Sequence, residues 1–334
     1  MPDNNTPSTS RRHLVAVLPT ACLLSVFAPA AWAQADYPSR ALRVIVPQPP
    51  GGGFDFVARA LGERLAKRLG QPVVVENRTG SGTLIGTDAA AKAAPDGYTL
   101  LTGSVSNMVL NMGLYKNLSY DSLRDFEPVG LAVSYSYTLI ARADLPFKTL
   151  AEVVAHAKTH PGKLTCASAG NGSGQHVLAA ALWQLAGVEI THIPYRGAQA
   201  AYTDLLGGRV DMFFDLTPTT RAHIESGKVF PLAVSGAERN AMQPTVPTIN
   251  ETGVARLDLE SWFGFFAPRG TPPQALQRLR TELAAVIAEP ELREVFTKAG
   301  GKPLTIGVEQ TSAMLKRDVE RWTALIRAAN ISLD

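Results

Sequence analysis

The stretch Leu42-Arg43-Val44-Ile45-Val46-Pro47-Gln48-Pro49-Pro50-Gly51-Gly52-Gly53-Phe54-Asp55 reads as a buried strand, a turn-rich loop and the opening of a helix. Behind it, Val57, Leu61, Leu65 and Leu69 recur every four residues, as on one buried helical face, and Gly70 stops the helix. Val73-Val74-Val75 predicts the next strand. A Gly-rich turn, an Ala-rich helix, Pro95-Asp96-Gly97 and a strand from Tyr98 to Leu101 follow. Strand and helix in this alternation imply a βαβαβ unit, with a parallel sheet covered by helices on both faces.

The alternation restarts near residue 150. Leu150, Val153, Val154 and Ala157 form a helical stripe ended by His160-Pro161-Gly162. Strands are expected over 163–168, 189–194, 209–214 and 229–234, with helices over 176–186, 198–206 and 218–226 between them. The tail, 273–330, reads as mostly helical, interrupted at Pro290 and Gly300-Gly301. Two extended apolar stretches, Val129–Ala141 and Trp262–Pro268, stand between the units. If both cross between lobes, residues 34–135 and 262–334 form lobe I and residues 136–261 form lobe II. A tandem pair of domains would show the same local pattern. The fold class is therefore α/β: two doubly wound lobes, joined by two crossover segments, with a cleft between them.

Composition narrows the function. The 334 residues include 32 Lys and Arg against 29 Asp and Glu, a net charge of +3 with no dense basic block, which argues against a nucleic-acid partner. Residues 1–33 have the pattern of an export signal: a basic end at Arg11-Arg12-His13, an apolar run from Leu14, and Ala31-Trp32-Ala33 at the cleavage position. The paired arginines fit either the general secretory or the twin-arginine route. Pro19, three residues before Cys22, argues against lipidation. Cleavage after Ala33 removes Cys22 and leaves Cys166 alone, so no internal disulfide is expected and Cys166 reads as a buried structural thiol.

Two strand-to-helix junctions carry the chemistry. They are Gly51-Gly52-Gly53-Phe54-Asp55 and Gly170-Asn171-Gly172-Ser173-Gly174-Gln175-His176. Glycine lets the backbone aim N–H groups at a ligand, and the free N–H groups of a helix start favour an anion. Open α/β sheets bind ligands at this edge, so two such loops facing each other would grip one small anion. Asp55 has an alternative role as a first-turn acid on the helix dipole, Ser173 as a helix cap, and His176 as a packed histidine. A third stretch, Gly80-Ser81-Gly82-Thr83-Leu84-Ile85-Gly86, is spaced like a relaxed dinucleotide fingerprint, which keeps an exported oxidoreductase open as an alternative. There is no G-x-S-x-G elbow, Walker loop, H-E-x-x-H or paired His/Cys metal set, so neither an enzyme nor a metal or other cofactor is expected.

Further segments complete a pattern. Pro50-Gly51-Gly52-Gly53-Phe54-Asp55, Asn77-Arg78 with Gly80-Ser81-Gly82, Pro95-Asp96-Gly97-Tyr98, Leu114-Tyr115-Lys116, Ile193-Pro194-Tyr195-Arg196-Gly197, Asp204-Leu205-Leu206-Gly207-Gly208, Val246-Pro247-Thr248 and Ser261-Trp262-Phe263-Gly264 occur in that order. The string resembles the substrate-binding receptors of tripartite tricarboxylate transporters, also called the Bug family. The resemblance implies a periplasmic, monomeric two-lobe receptor that closes on a small organic acid and delivers it to membrane permease subunits. A ligand sensor docking on a membrane kinase is the other binding role. The resemblance places Gly51, Gly52, Gly53, Phe54 and Asp55 on one side of the ligand, and Gly170, Asn171, Gly172, Ser173 and His176 on the other. Ser104, Tyr195, Arg196 and Asp215 stand on neighbouring strand ends. The chain departs from the family pattern at Phe54, at Asn111-Met112 and at Ala180. Phe54, Tyr135 and Tyr137 suggest a more apolar cleft, suited to an aromatic or longer aliphatic carboxylate rather than citrate or an amino acid.

Overall fold

Strand β1 (Leu42–Val46) lies between β2 (Val73–Asn77) and β3 (Thr99–Ser104) and is parallel to both. The computed structural model describes residues 37–328 and 331–333; the expected export signal, 1–33, lies outside them. Helix α1 (Gly53–Leu69) buries Val57, Leu61, Leu65 and Leu69, the stripe read from the sequence, and ends where Gly70 takes a left-handed φ of 67°. Helix α2 (Leu84–Ala91) links β2 to β3. After β3 the chain makes a π-helical turn (Ser106–Leu110) and a short helix α3 (Asn111–Leu114). Its apolar run, Met108-Val109-Leu110, is buried throughout and so carries no periodicity that would predict a helix.

The parallel expectation holds within each βα unit and fails at the seam between them. Strand β4 (Phe126–Arg142) is 17 residues long and serves two sheets. Its first part pairs antiparallel with β9 (Glu260–Pro268), from Phe126 opposite Pro268 to Ser136 opposite Glu260. From Tyr137 onward it pairs with β7 (Met212–Leu216) on one side and β8 (Val229–Val234) on the other, both antiparallel. Strand β9 also pairs antiparallel with β3. A strand leaving one sheet and a neighbouring strand returning to it run in opposite directions, which makes the whole arrangement mixed rather than parallel.

The second sheet is completed by β5 (Thr165–Ser168), parallel to both β6 (Thr191–Pro194) and β7. Helices α4 (Leu150–Thr159), α5 (Gly174–Leu185), α6 (Ala198–Leu206) and α7 (Thr217–Glu225) alternate with its strands. The tail holds α8 (Pro273–Ala288), α9 (Pro290–Lys298), the short β10 (Lys302–Pro303) beside β4, and α10 (Val308–Ala328). Pro290 opens α9, and Gly300-Gly301 separates α9 from β10, as their residue types dictate. Cys166 is buried and free, and burial pushes its thiol up to about 12, which leaves it inert.

Candidate functional site

The first loop is built on Asp55. Its carboxylate accepts the Gly51 N–H (3.1 Å), Nε and Nη2 of Arg59 (both 2.9 Å) and Nδ2 of Asn77 (3.0 Å). Asn77 Nδ2 also donates to the Gln48 carbonyl (2.9 Å). Burial alone would push the Asp55 carboxyl up, but the hydrogen bonds from Arg59, Gly51 and Asn77 hold it below the usual range. Asp55 is thus a strut under the loop, and the Asn77-Arg78 motif supplies the residue that ties loop to strut. Gly51 takes a φ of 82°, a turn that an L side chain resists.

The second loop is built on Ser173. Its hydroxyl donates to the Gly170 carbonyl (2.7 Å) and accepts the His176 N–H (3.3 Å), capping α5. The Gly172 N–H donates to Nδ1 of His176 (3.3 Å). The His176 ring stacks on His192, 4.1 Å between centroids, and His192 Nε2 meets the Ser168 hydroxyl (2.7 Å). Burial, then the neighbouring His192, pushes His176 down to about 4, so at neutral pH it is the uncharged acceptor the loop needs. Because the folded value lies below the unfolded one near 6.5, the stability linked to this histidine is complete above about pH 6.5 and is lost as pH falls toward 4. Thermal melts from pH 7.5 to 4.5 should show that loss, on the order of 2–3 kcal/mol. His176→Asn should remove most of this slope; an unchanged slope would place the acid sensitivity elsewhere.

The two loops meet. An added Cβ on Gly82 would lie 2.3 Å from the Asn171 carbonyl oxygen, and one on Gly197 would lie 3.0 Å from Cγ of Pro49. The Gly174 N–H donates to the Ser106 hydroxyl (3.0 Å). Beside these contacts lies a cavity of about 10 Å³, the space of one water. Gln48, Gly52, Gly53 and Phe54 line it from the first loop, and Ser106 from the turn after β3. Tyr137, Ser261 and Phe263 form its floor on β4 and β9, while Gln175, Ala198, Asp215 and Leu216 close it from the second sheet.

Of the residues singled out above, Gly52, Gly53, Phe54 and Asp215 reach this cavity. Gly51, Asp55, Gly170, Asn171, Gly172, Ser173 and His176 do not line it, and His176 lines a separate groove on the outside of α5. Ser104 is buried behind it, its hydroxyl accepting the Ser106 N–H (3.2 Å). Tyr195 turns its hydroxyl to Asp204 (2.6 Å), and Arg196 is exposed. Phe54 stands edge-on to Phe263, 5.2 Å between centroids. Tyr137 reaches the cavity, whereas Tyr135 packs between Phe263 and Gly301. Burial pushes the Asp215 carboxyl up, and hydrogen bonds from Thr219, the Leu216 N–H, Gln175 and Tyr202 oppose this. Sequence reasoning missed Gln48, Ser106, Tyr137 as a polar group, Gln175 and Ser261. Gln48, Gln175 and Ser261 lay in quoted stretches without being singled out, while Ser106 and the Tyr137 hydroxyl are brought in by the sheet seam and not by local spacing.

The fingerprint-like glycines all have packing roles. Gly80 faces Ile85, Gly82 faces the Asn171 carbonyl, and a Cβ on Gly86 would strike the Arg78 carbonyl and Pro47 Cα at 2.5 and 2.7 Å. Their spacing is set by loop-on-loop approach.

The sequence profile of the tripartite tricarboxylate transporter family receptor matches residues 57–331. The chain belongs to this family. Protein BugT of Bordetella pertussis is 36% identical over 89% of this chain and 91% of its own length. Among solved structures, an R. palustris protein with adipate superposes with a TM-score of 0.85 at 31% identity, covering 89% of this chain and all of that one. MatC from Rhodopseudomonas palustris with bound malate gives 0.82 at 31%, over 87% of this chain and all of MatC. Asn111, ahead of the departure at Met112, donates to Thr83 Oγ1 and the Tyr120 hydroxyl (both 2.9 Å), and Ala180 faces a groove on the outside of α5 beside His176.

Proposed function

We propose that this chain is a periplasmic receptor that binds a small organic carboxylate between two lobes and delivers it to membrane permease subunits. Lobe I comprises residues 34–135 and 262–334, and lobe II residues 136–261. The observation that carries the reading is the cavity itself. The first strand-to-helix loop lines it from one sheet and Gln175, Ala198, Asp215 and Leu216 from the other, its polar groups are neutral hydrogen-bonding side chains apart from Asp215, and no Lys or Arg lines it. Backbone N–H groups and hydroxyls grip an anion without the desolvation cost of a buried ion pair, which suits a receptor that must release its load. Two similar proteins are known with adipate and with malate bound. The cavity is too small for either acid, so loading requires the lobes to part.

Phe54, Phe263 and Leu216 give the cavity an apolar wall, and Ser261 presents a buried hydroxyl with no hydrogen-bond partner among the described residues. These favour an acid with an apolar body, of the adipate or benzoate type, over citrate. A thermal-shift screen against organic acids tests this: a ligand at a hundred times its Kd stabilises by about 2.7 kcal/mol. Stabilisation by adipate-like or benzoate-like acids is expected, and tighter binding of citrate would overturn the preference. Ser261→Ala and Tyr137→Phe should each weaken the selected acid by about three- to tenfold, the worth of one hydrogen bond.

A further inference from the structure

Residues 331–333 touch both sides of the cleft. The Leu333 N–H donates to the Leu114 carbonyl (3.2 Å) and the Ile331 N–H to the Ile326 carbonyl (3.1 Å), which ties the segment to α3 and α10. From there the side chains reach the second sheet's loop. Leu333 Cδ1 lies 3.2 Å from the position a Cβ on Gly172 would take, at the back of the loop that closes on Gly82. Ile331 lines a 400 Å³ groove on the outside of α5 together with His176, His192 and Trp183. Both side chains are partly buried against the core.

We propose that residues 331–333 are a strap that holds loop 170–173 against the first lobe, with Ile331 and Leu333 as positioning residues for the closed cleft. The strap is anchored on one lobe and its apolar side chains are covered by the other. Opening the cleft re-exposes them, so their burial stabilises only the closed state and shifts the open–closed balance without holding either lobe folded. The apolar contact falls on Gly172, whose N–H is held by His176, while the polar anchor falls on Leu114 of α3. The inference rests on the two-lobe reading and not on the ligand class.

Hydrogen–deuterium exchange on the full chain, without ligand, tests it. In the double variant Ile331→Ser/Leu333→Ser, amides of residues 78–86 and 169–175 should exchange about tenfold faster, while those of β1 and β5 keep their wild-type rates. The conservative pair Ile331→Val/Leu333→Met should restore protection. Unchanged loop exchange in the Ser variant would overturn the strap, as would faster exchange spread evenly through both sheets. Failure of the carboxylate screen would leave this result untouched, so the two readings fall separately.

Discussion

Gly82→Ala should weaken ligand binding by about a hundredfold while leaving the fold intact. The residue sits at a φ of 70°, and the added methyl would stand 2.3 Å from the Asn171 carbonyl oxygen. That oxygen is backbone on the opposite loop, so no rotamer change relieves the contact; the loops must separate. The left-handed conformation costs Ala about 1 kcal/mol, which lowers the Tm by a few degrees at most in a chain of this size. The rest of the effect falls on closure. Calorimetric titration with an acid selected by the thermal-shift screen, beside a melt of the apo protein, separates the two. Unchanged affinity would mean that the ligand does not need these loops in contact. A collapse of the apo melt would mean that the approach of Gly82 to Asn171 holds the fold and not the closed state.

The second large effect is expected for Asp55→Ala, and it is one of stability first. Removing the carboxylate leaves the Gly51 N–H and the half-buried Asn77 amide without their acceptor; water reaches the exposed Gly51, so each donor costs toward the lower end of about 1–3 kcal/mol. Arg59 also loses its partner, but its side chain is 55% exposed and water replaces the lost contacts, so the ion pair itself adds little. The expected total is about 2–4 kcal/mol, a fall in Tm on the order of 5–10 °C, with binding lost because the loop that carries Gly52 and Gly53 relaxes. Asp55→Asn should lie between, since it keeps one acceptor. The pH response follows from the depressed carboxyl: its stabilisation is present above the unfolded value near 3.9 and disappears as pH falls below it. A variant that melts like wild type while binding fails would instead make Asp55 a group that faces the ligand.

Much of this protein was legible before its fold. Helix α1 follows from Val57, Leu61, Leu65, Leu69 and Gly70, and helix α6 and strand β8 fall where periodicity put them, because apolar spacing and chain-stopping residues are local properties. The two glycine-rich loops were equally visible, since glycine before a helix start is a local signal. The roles within them were not. Asp55 and Ser173 carry the residue types of ligand-binding groups and of helix-start residues alike, and only their partners show that both are committed to shaping the loops. The glycines at 80, 82 and 86 gave a fingerprint-like spacing for a reason that lies across the cleft, in the Asn171 carbonyl, and beneath the loop, in Pro47.

The amino-acid order by itself determined the α/β alternation, the family and the position of both loops, because each is written in neighbouring residues or in a string of motifs. Tertiary structure alone decided that β4 serves two sheets, that Tyr137 and Ser261 meet at the cavity floor, and that Leu333 lies behind Gly172. Those contacts join segments more than seventy residues apart in sequence, where chain spacing carries no information and only the pairing of strands and the closing of one loop on another brings the atoms together.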